Sequence, residues 1–444
     1  MGYGMKRLQD FGRGVRLARQ LAQRERWPRE RLEAFQQGRL TELARHATGR
    51  SGFWRERLPN GDIELSELPV LTKTEMMERF DELVTDRRLR RDDLLEHLAQ
   101  IHDDALYLGE FRAMTSSGSS GRKAVFVYDR AGWRDVLAMF LRRSDWVGLR
   151  PSLPRTRLAL VGGGSPTHMS RRGASCLDVG VHRILSLAAT QPVDELVERL
   201  NAFQPNFLNA YPSSAGPLAD AQLDGRLRLS LTGMTTNSEP LTPALRERIE
   251  TVFGVRPTDF YGTTEGLYGH ECPEGSMHVF DDMCILENVD DDDRPVAPGE
   301  VGSKVLMTNL FNRVQPLIRF EISDLVAVEP DPCPCGRSLM RLRSLEGRAE
   351  DVLRIGDVAV HPLQFGIVTA DPAVREFQVV QEGNALRLRV ALRNGCEGAE
   401  ERLGACVRAR LAELGVERPE VSVERVEALE RSPAGKLQVV ITQR

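Results

Sequence analysis

Long apolar runs are missing from this 444-residue chain. Runs such as Leu158–Val161 fall far short of the ~20 residues a membrane helix needs. The segment MGYGMKRLQDFGRG carries charge where a signal peptide needs an apolar stretch, so no secretion is expected. Met1-Gly2 opens a myristoylation pattern, but Lys6 stands where that pattern wants Ser or Thr. Cysteine is scarce: 7 residues, an odd number in a long chain, exclude a disulfide scaffold. They suit a reducing, cytoplasmic setting with metal-binding or structural thiols. Charge of one sign is lacking too, since 60 basic residues face 64 acidic ones for a net −4. Nothing in that balance calls for nucleic acid or an anionic membrane as partner. Lysine itself is rare, with only Lys6, Lys73, Lys123, Lys304 and Lys436 among the basic residues. Arginine fills the generic positive positions, so a retained lysine marks a place where a compact ammonium is needed.

What is present is ordinary globular composition, 41% hydrophobic and 28% charged, in a chain too long for one core. Helical spacing of Leu8, Phe11, Val15, Ala18 and Leu21 predicts surface-packing helices over residues 5–47, within a helical N-terminal region 1–100. Pro69-Val-Leu-Thr-Lys73 breaks that pattern before another helical stretch from Glu75. From about 113 to 310, short apolar runs alternate with helical ones: Arg157–Val161 and Phe207–Tyr211 read as strands. Val193–Phe203 and Thr242–Phe253 read as helices, the latter capped by Thr242. This alternation predicts an α/β architecture with substantial parallel sheet. Residues 279–330 read as β-rich, and the acidic run Asp290–Asp293 as a solvated hairpin turn. After 346–356 the strands Phe377–Val380, Leu386–Leu392 and Val421–Val426 surround one helix, Ala399–Leu414. The expected division is a body over 1–348 and a small α+β domain over 349–444.

The sharpest local signal is Thr115-Ser-Ser-Gly-Ser-Ser-Gly-Arg-Lys123. Its glycines allow close backbone approach to an anion, and its amides and hydroxyls can wrap a phosphate. It lacks the Walker A spacing, and a flexible Ser/Gly linker is the alternative. Downstream stand Tyr261-Gly-Thr-Thr-Glu265, Arg319-Phe-Glu-Ile-Ser-Asp324, Gly347-Arg-Ala-Glu-Asp351 and Ser432-Pro-Ala-Gly-Lys436. The first offers an aromatic, hydroxyls and a carboxylate, and the second a carboxylate able to accept from two ribose hydroxyls. Cys272-x5-His278 and Cys333-Pro-Cys335-Gly-Arg337 supply three thiolates and an imidazole, enough for a closed tetrahedral zinc site within a β-rich part at 270–340. Arg337, Arg341 or Arg343 can offset its net charge. The competing ligands are His270 and Cys284, and unligated thiols are the alternative. Cys176, Cys396 and Cys406 read as core or surface thiols.

In this order the motifs resemble the adenylate-forming superfamily of acyl-CoA ligases, nonribosomal adenylation domains and luciferases. Pro69–Lys73, Asn209-Ala-Tyr-Pro-Ser213, Ser238-Glu-Pro240 and Pro298-Gly-Glu300 resemble its phenylacetate–CoA ligase branch in particular. The resemblance implies a large body of several α/β subdomains and a C-terminal lid. It implies that Ser116, Ser117, Gly118, Ser119, Ser120 and Gly121 hold ATP phosphates, although Arg122-Lys123 replaces the usual Lys-Pro. Ser238, Glu239, Tyr261, Gly262 and Thr263 would surround the nucleotide, Tyr261 against adenine. Thr264 would contact the α-phosphate, Glu265 would hold Mg²⁺, Asp324 would bind the ribose with Arg348 beside it, and Lys436 would join carboxylate to nucleotide. Glu350 stands where relatives carry a hinge Asp. Relatives of this branch also carry cysteines similar to the proposed zinc ligands.

The implied reaction is ATP-dependent adenylation of a small carboxylic acid, then acyl transfer to CoA. An amine or a carrier-protein thiol remains an alternative acceptor, and a degenerate zinc-stabilised binding protein a further one. A homodimer is compatible with this reading. Val161-Gly-Gly-Gly-Ser-Pro-Thr-His168, Tyr211 and Thr235–Ser238 are expected to line the acid pocket, with His168 either touching the acid or solvated. Finally, the glycine that relatives place near the pantetheine tunnel falls on Asp357, one residue after Gly356. A carboxylate there would disfavour CoA and attract an amine, unless Gly356 does the same work.

Overall fold

The computed structural model describes residues 3–59, 63–116, 124–393, 396, 398–432 and 435–443. It is a mixed α/β structure with several sheets, and it divides into two compact units. The first comprises Met1–Thr156, Gly164–Ile184 and Phe260–Ser344; the second comprises Arg157–Gly163, Leu185–Asp259 and Leu345–Arg444.

In the first unit, helices Tyr3–Arg24 and Arg29–Arg50 are separated by a short turn, and Pro28 is the N-cap of the second. Leu21, Leu32, Leu40, Leu43 and Ala47 recur at helical spacing and are buried. A short helix, Lys73–Glu78, begins where Thr72 Oγ1 accepts the Glu75 N–H at 3.2 Å. Strands Arg112–Thr115 and Val125–Tyr128 pair antiparallel on either side of the Ser/Gly segment. Their inner residues Ala113, Val125 and Val127 join Phe80, Leu89, Leu94, Phe111 and Val314 in one core. Helix Arg130–Trp146 follows, capped by Asp129, which accepts the Gly132 N–H at 2.7 Å. Tyr268–Glu271 pairs antiparallel with Phe260–Gly262 on one side and with Met277–Val279 on the other. The Asp290–Asp293 run is a tight turn: Asp290 Oδ1 accepts the N–H groups of Asp292 and Arg294.

In the second unit, strands Arg157–Gly162, Phe207–Ala210 and Gly233–Asn237 pair in parallel. Helix Val193–Phe203, and helix Pro243–Phe253 capped by Thr242, accord with the helical spacing read in the sequence. Tyr211 ends no strand. It is the N-cap position of an additional helix, Pro212–Leu223, because Pro212 presets the helical φ but lacks the N–H that a strand ladder needs. Leu196, Leu200, Leu208, Leu218, Leu231 and Ile249 form the core of this part. The C-terminal stretch has a separate core, including Leu353, Phe365, Phe377, Leu388, Leu403 and Val440. There, a four-stranded sheet in the order Glu420–Arg425, Ala385–Leu392, Val374–Glu382, Val440–Gln443 packs with helix Ala399–Glu413.

Candidate active site and metal centre

The Ser/Gly segment has a well-defined neck. Ser116 N–H donates to Ala124 O at 3.1 Å, and Ala124 N–H returns to Ser116 Oγ at 3.4 Å. Thr115 N–H is tied to Thr167 O at 3.1 Å. The entering strand is held by Arg172, whose guanidinium reaches Asp104 at 3.1 Å, Ala105 O at 2.8 Å and Ala113 O at 3.2 Å. Ser117, Gly118, Ser119, Ser120 and Gly121, with Arg122 and Lys123, lie outside the described residues.

Five of the expected nucleotide-binding and catalytic residues, Tyr261 to Glu265, lie on or beside one tight turn, and a sixth meets it. Tyr261 Oη donates to Asp324 Oδ2 at 2.5 Å, both residues buried. The turn closes when Thr263 N–H donates to Leu267 O at 2.9 Å, with Gly262 ending the strand before it. Gly266 has φ +108°, a conformation that favours glycine, and a Cβ there would collide with the Asn309 amide. Thr264 O accepts from the buried Tyr128 hydroxyl at 2.7 Å, and Glu265 O from Asn309 Nδ2 at 2.9 Å. Burial pushes the Tyr128 hydroxyl well above the usual range, so it stays protonated and donates.

Asn309 belongs to a scaffold that the motif reading missed. Asn312 Nδ2 donates to Val127 O at 3.0 Å, while Gln315 accepts the Val127 N–H at 2.8 Å and donates to Val125 O at 3.1 Å. These fully buried amides clamp the strand leaving the Ser/Gly segment, and Asn309 joins them to the Glu265 backbone. Their only sequence signal is the spacing of three amides in Asn309-x-x-Asn312-x-x-Gln315, which no apolar periodicity explains.

In the second unit, Ser238 has φ +68°, a left-handed backbone unusual for serine and of the kind that gathers at functional sites. Its hydroxyl donates to Asn237 Oδ1, and Asn237 donates to Asn209 Oδ1, each at 2.9 Å. Glu239 is not left facing open solvent: its carboxylate accepts from Ser213 N–H (2.8 Å), Ser213 Oγ (2.9 Å) and Leu437 N–H (2.9 Å). The neighbouring Lys436 Nζ lies 5.9 Å from the Tyr211 ring centroid. Tyr211 Oη accepts the Gly163 N–H at 2.8 Å. Arg348 pairs with Glu350 at 3.5 Å near the surface, just after Gly347 at φ +104°. His168 is buried, and its Nδ1 accepts the Ser170 N–H at 3.3 Å to cap helix Met169–Leu177, so it is no solvated loop residue. Gly356 takes φ +58° in the two-residue turn joining Leu353–Ile355 to Val358–Val360, with Asp357 exposed beside it. The glycine-requiring position therefore falls one residue before Asp357.

The cysteine cluster comes together in the structure. The ligand atoms of Cys272, His278, Cys333 and Cys335 all lie within 4.8 Å of one another. Cys272 Sγ to Cys333 Sγ is 3.7 Å, and Cys335 Sγ to His278 Nε2 is 3.4 Å. Tetrahedral zinc with ordinary Zn–S and Zn–N lengths requires separations of about 3.8 and about 3.6 Å, so the donor set fits. His278 Nδ1 meets Leu339 O at 3.0 Å, which turns Nε2 toward the thiols. His270 and Cys284 stand elsewhere: His270 Nδ1 meets Glu271 O, and Cys284 points to Phe280 O. Arg337, beside Cys335, also binds Glu25 at 2.8 Å and lies 4.0 Å from the Trp146 ring centroid. Glu25 in turn pairs with the fully buried Arg142, which reaches Asp282 at 2.7 Å. Among the described residues, no helix is long and apolar enough to cross a membrane.

A body of α/β units with a small α+β C-terminal part, a turn of the Tyr-Gly-Thr-Thr-Glu kind and a lysine loop define an adenylate-forming ligase fold. No family model matches the chain. It is 28% identical over 384 residues to a phenylacetate–coenzyme A ligase of Thermus thermophilus, covering 80% of this chain and 79% of that protein. It is 26% identical over 372 residues to the phenylacetate–coenzyme A ligase of Escherichia coli, covering 76% and 75%. A solved 2-hydroxyisobutyryl-CoA ligase in its postadenylation state superimposes with a TM-score of 0.77 at 22% identity, over 95% of this chain and 91% of that one. The chain is thus similar in sequence to phenylacetate–coenzyme A ligases and shares the fold of a solved acyl-CoA ligase.

Proposed function

We propose that the protein activates a carboxylic acid as its acyl-adenylate at the expense of ATP, releasing pyrophosphate, and passes the acyl group to a thiol such as CoA. The observation that carries this reading is the buried Tyr261–Asp324 pair beside the Thr264–Glu265 turn. It joins the Tyr261 ring to the Asp324 carboxylate from two different strands, with Thr264 on the turn that follows Tyr261. The relatives' names point to the same chemistry.

A carboxylate is a poor nucleophile toward a polyphosphate because like charges repel. Catalysis must neutralise that repulsion and hold the two groups in line. In this reading Ser116 to Gly121 hold the outer phosphates, with Ser116 fixed by the neck. Ser238, Glu239, Gly262 and Thr263 frame the nucleotide through their backbone, and Arg348 supports the ribose side. Thr264 faces the α-phosphate, and Lys436 brings one ammonium between carboxylate and phosphate. Glu265 would hold Mg²⁺, which supplies positive charge to the phosphate oxygens when bound. Cys272, His278, Cys333 and Cys335 would hold a structural zinc with no open ligand position. The region 349–444, with its own core, serves as the lid, and its reduced thiols suit a cytoplasmic enzyme.

For the acceptor, CoA is favoured over an amine or a carrier-protein thiol. The glycine conformation at Gly356 removes the argument from Asp357, whose exposed side chain sits outside the required turn position. The test is ATP–pyrophosphate exchange across a panel of aryl and short aliphatic acids, followed by hydroxylamine trapping. At least one acid should give exchange and an acyl-hydroxamate, and CoA should then accelerate turnover at micromolar concentration. Exchange with no acid would refute adenylation. Trapping without any effect of CoA would reassign the acceptor.

A further inference from the structure

The loop bearing Lys436 is fastened to its own unit by a set of contacts that centre on one serine. Ser213 opens helix Pro212–Leu223, and all its polar groups are engaged. Its N–H and hydroxyl donate to Glu239 at 2.8 and 2.9 Å. Its hydroxyl and carbonyl oxygens accept from Arg431 at 2.6 and 3.0 Å. Arg431 also pairs with Glu376 in the C-terminal sheet, and Glu239 accepts the Leu437 N–H. Arg431 and Leu437 thus flank Lys436 on both sides and are themselves bridged. Within the loop, Ser432 N–H donates to Lys436 O at 2.9 Å, and Lys436 N–H to Ser432 Oγ at 3.2 Å. Gly435, at φ +80°, lies so close to Ala189 that an added Cβ would stand 2.8 Å from the alanine Cβ. A side chain there would push the loop off its seat.

Charge explains why arginine is needed. Glu239 and Glu376 are both taken out of water, and burial raises each above the ordinary glutamate range. Arg431 is the cation whose attraction acts on both of them. A planar fork reaches the serine and Glu376 together, which a lysine does less well.

We propose that Arg431 is a positioning residue for adenylation: with Ser213, Glu239 and Glu376 it forms a latch that holds the Lys436 ammonium over Tyr211. This inference rests on the reading of Lys436 given above. It assigns Glu239's carboxylate to lid docking, which leaves only its backbone for the nucleotide.

The experiment measures the two half-reactions separately in Arg431→Met and Arg431→Lys. Arg431→Met should slow ATP–pyrophosphate exchange about 10- to 100-fold, the loss of one charge-assisted hydrogen-bond set, at nearly unchanged KM for ATP. Transfer from supplied acyl-adenylate to CoA should change less than about threefold, and Arg431→Lys should recover part of the exchange rate. Added to Lys436→Ala, Arg431→Met should cost nothing more, since it acts through that ammonium. Equal slowing of both half-reactions, or full additivity with Lys436→Ala, would overturn the proposal. A readout free of catalysis is the distance between spin labels on natural Cys406 and on Leu223→Cys, both exposed, with Cys396→Ser as background. The distribution should be narrow with Arg431 and broad with Met or with Ser213→Ala; an unchanged distribution in both overturns the latch. If wild-type protein shows no exchange with any acid, the adenylation reading fails, and the distance measurement still decides whether the latch exists.

Discussion

Glu239 shows how a motif and a structure divide the work at the scale of a residue. The resemblance places it among nucleotide-binding groups, and its own neighbours, Ser213 and Leu437, take its carboxylate. Sequence spacing cannot reveal this, since the partners lie 26 and 198 residues away. Lys436 is the opposite case: in a chain that writes almost every cation as arginine, a lysine in a Ser-Pro-Ala-Gly-Lys loop stands out, and the family resemblance implies its role. Lys436→Ala should lower the ATP–pyrophosphate exchange rate by about two to three orders of magnitude, while acyl transfer from preformed adenylate changes far less. The ammonium matters when carboxylate meets phosphate, and attack on the adenylate comes after that point. Rapid-quench measurement of each half-reaction checks it, and equal losses would remove Lys436 from the adenylation step.

At the scale of elements, the Cys333–Ser338 loop and the N-terminal helix turn form one assembly. The Cys333–Ser338 loop receives Arg337 back onto Glu25, and Ser338 N–H donates to Glu25 O at 2.7 Å. Gly336 is required where it lies: φ is +74°, and a Cβ would stand 2.9 Å from an Arg26 nitrogen. Three thiolates around a zinc ion would carry an excess negative charge, which Arg337 beside Cys335 would offset. The purified protein should contain about one zinc per chain. Cys333→Ser should lose it and lower Tm by roughly 5–15 °C, because metal binding is coupled to folding. Hydrogen exchange in that variant should quicken first across Arg24–Arg29. Zinc-free protein with wild-type stability would exclude the site. Four ligand positions were readable because thiol and imidazole spacing is sparse and specific. The Asn309–Asn312–Gln315 clamp was not, since evenly spaced amides name no partner and acquire theirs only in the folded chain.

For the whole molecule, stability has a pH dependence that one helix makes visible. Burial pushes the Asp135 carboxyl up to about 6, against 3.8 as its ordinary value, despite nearby Arg39 and Arg134. The folded state therefore binds its proton more tightly than the unfolded chain does. Below about pH 4 both states are protonated and no penalty exists; between about 4 and 6 stability falls as pH rises; above 6 the full penalty persists. Asp135→Asn should raise stability by about 1–3 kcal/mol at pH 7.5 and by almost nothing at pH 4, as denaturant titrations at the two pH values would show. A gain of the same size at both pH values would point to packing instead. The separate cores in the second unit show the same limit on reading a chain end to end. Alternating apolar runs predicted parallel strands and helices there, and local capping by Thr242 confirmed one boundary. What the amino-acid order determined by itself was the class of architecture, the order of the motifs and the four Cys and His positions that come together as a candidate metal site. Each depends on local spacing or on a side-chain chemistry that has few substitutes. Only the tertiary structure decided which carboxylates and amides serve them. Tyr261 meets Asp324 across 63 residues, and Arg431 meets Ser213 across 218. Such buried polar pairs form because desolvated charges and amides must find partners, and the partner is chosen by folding rather than by neighbourhood in the chain.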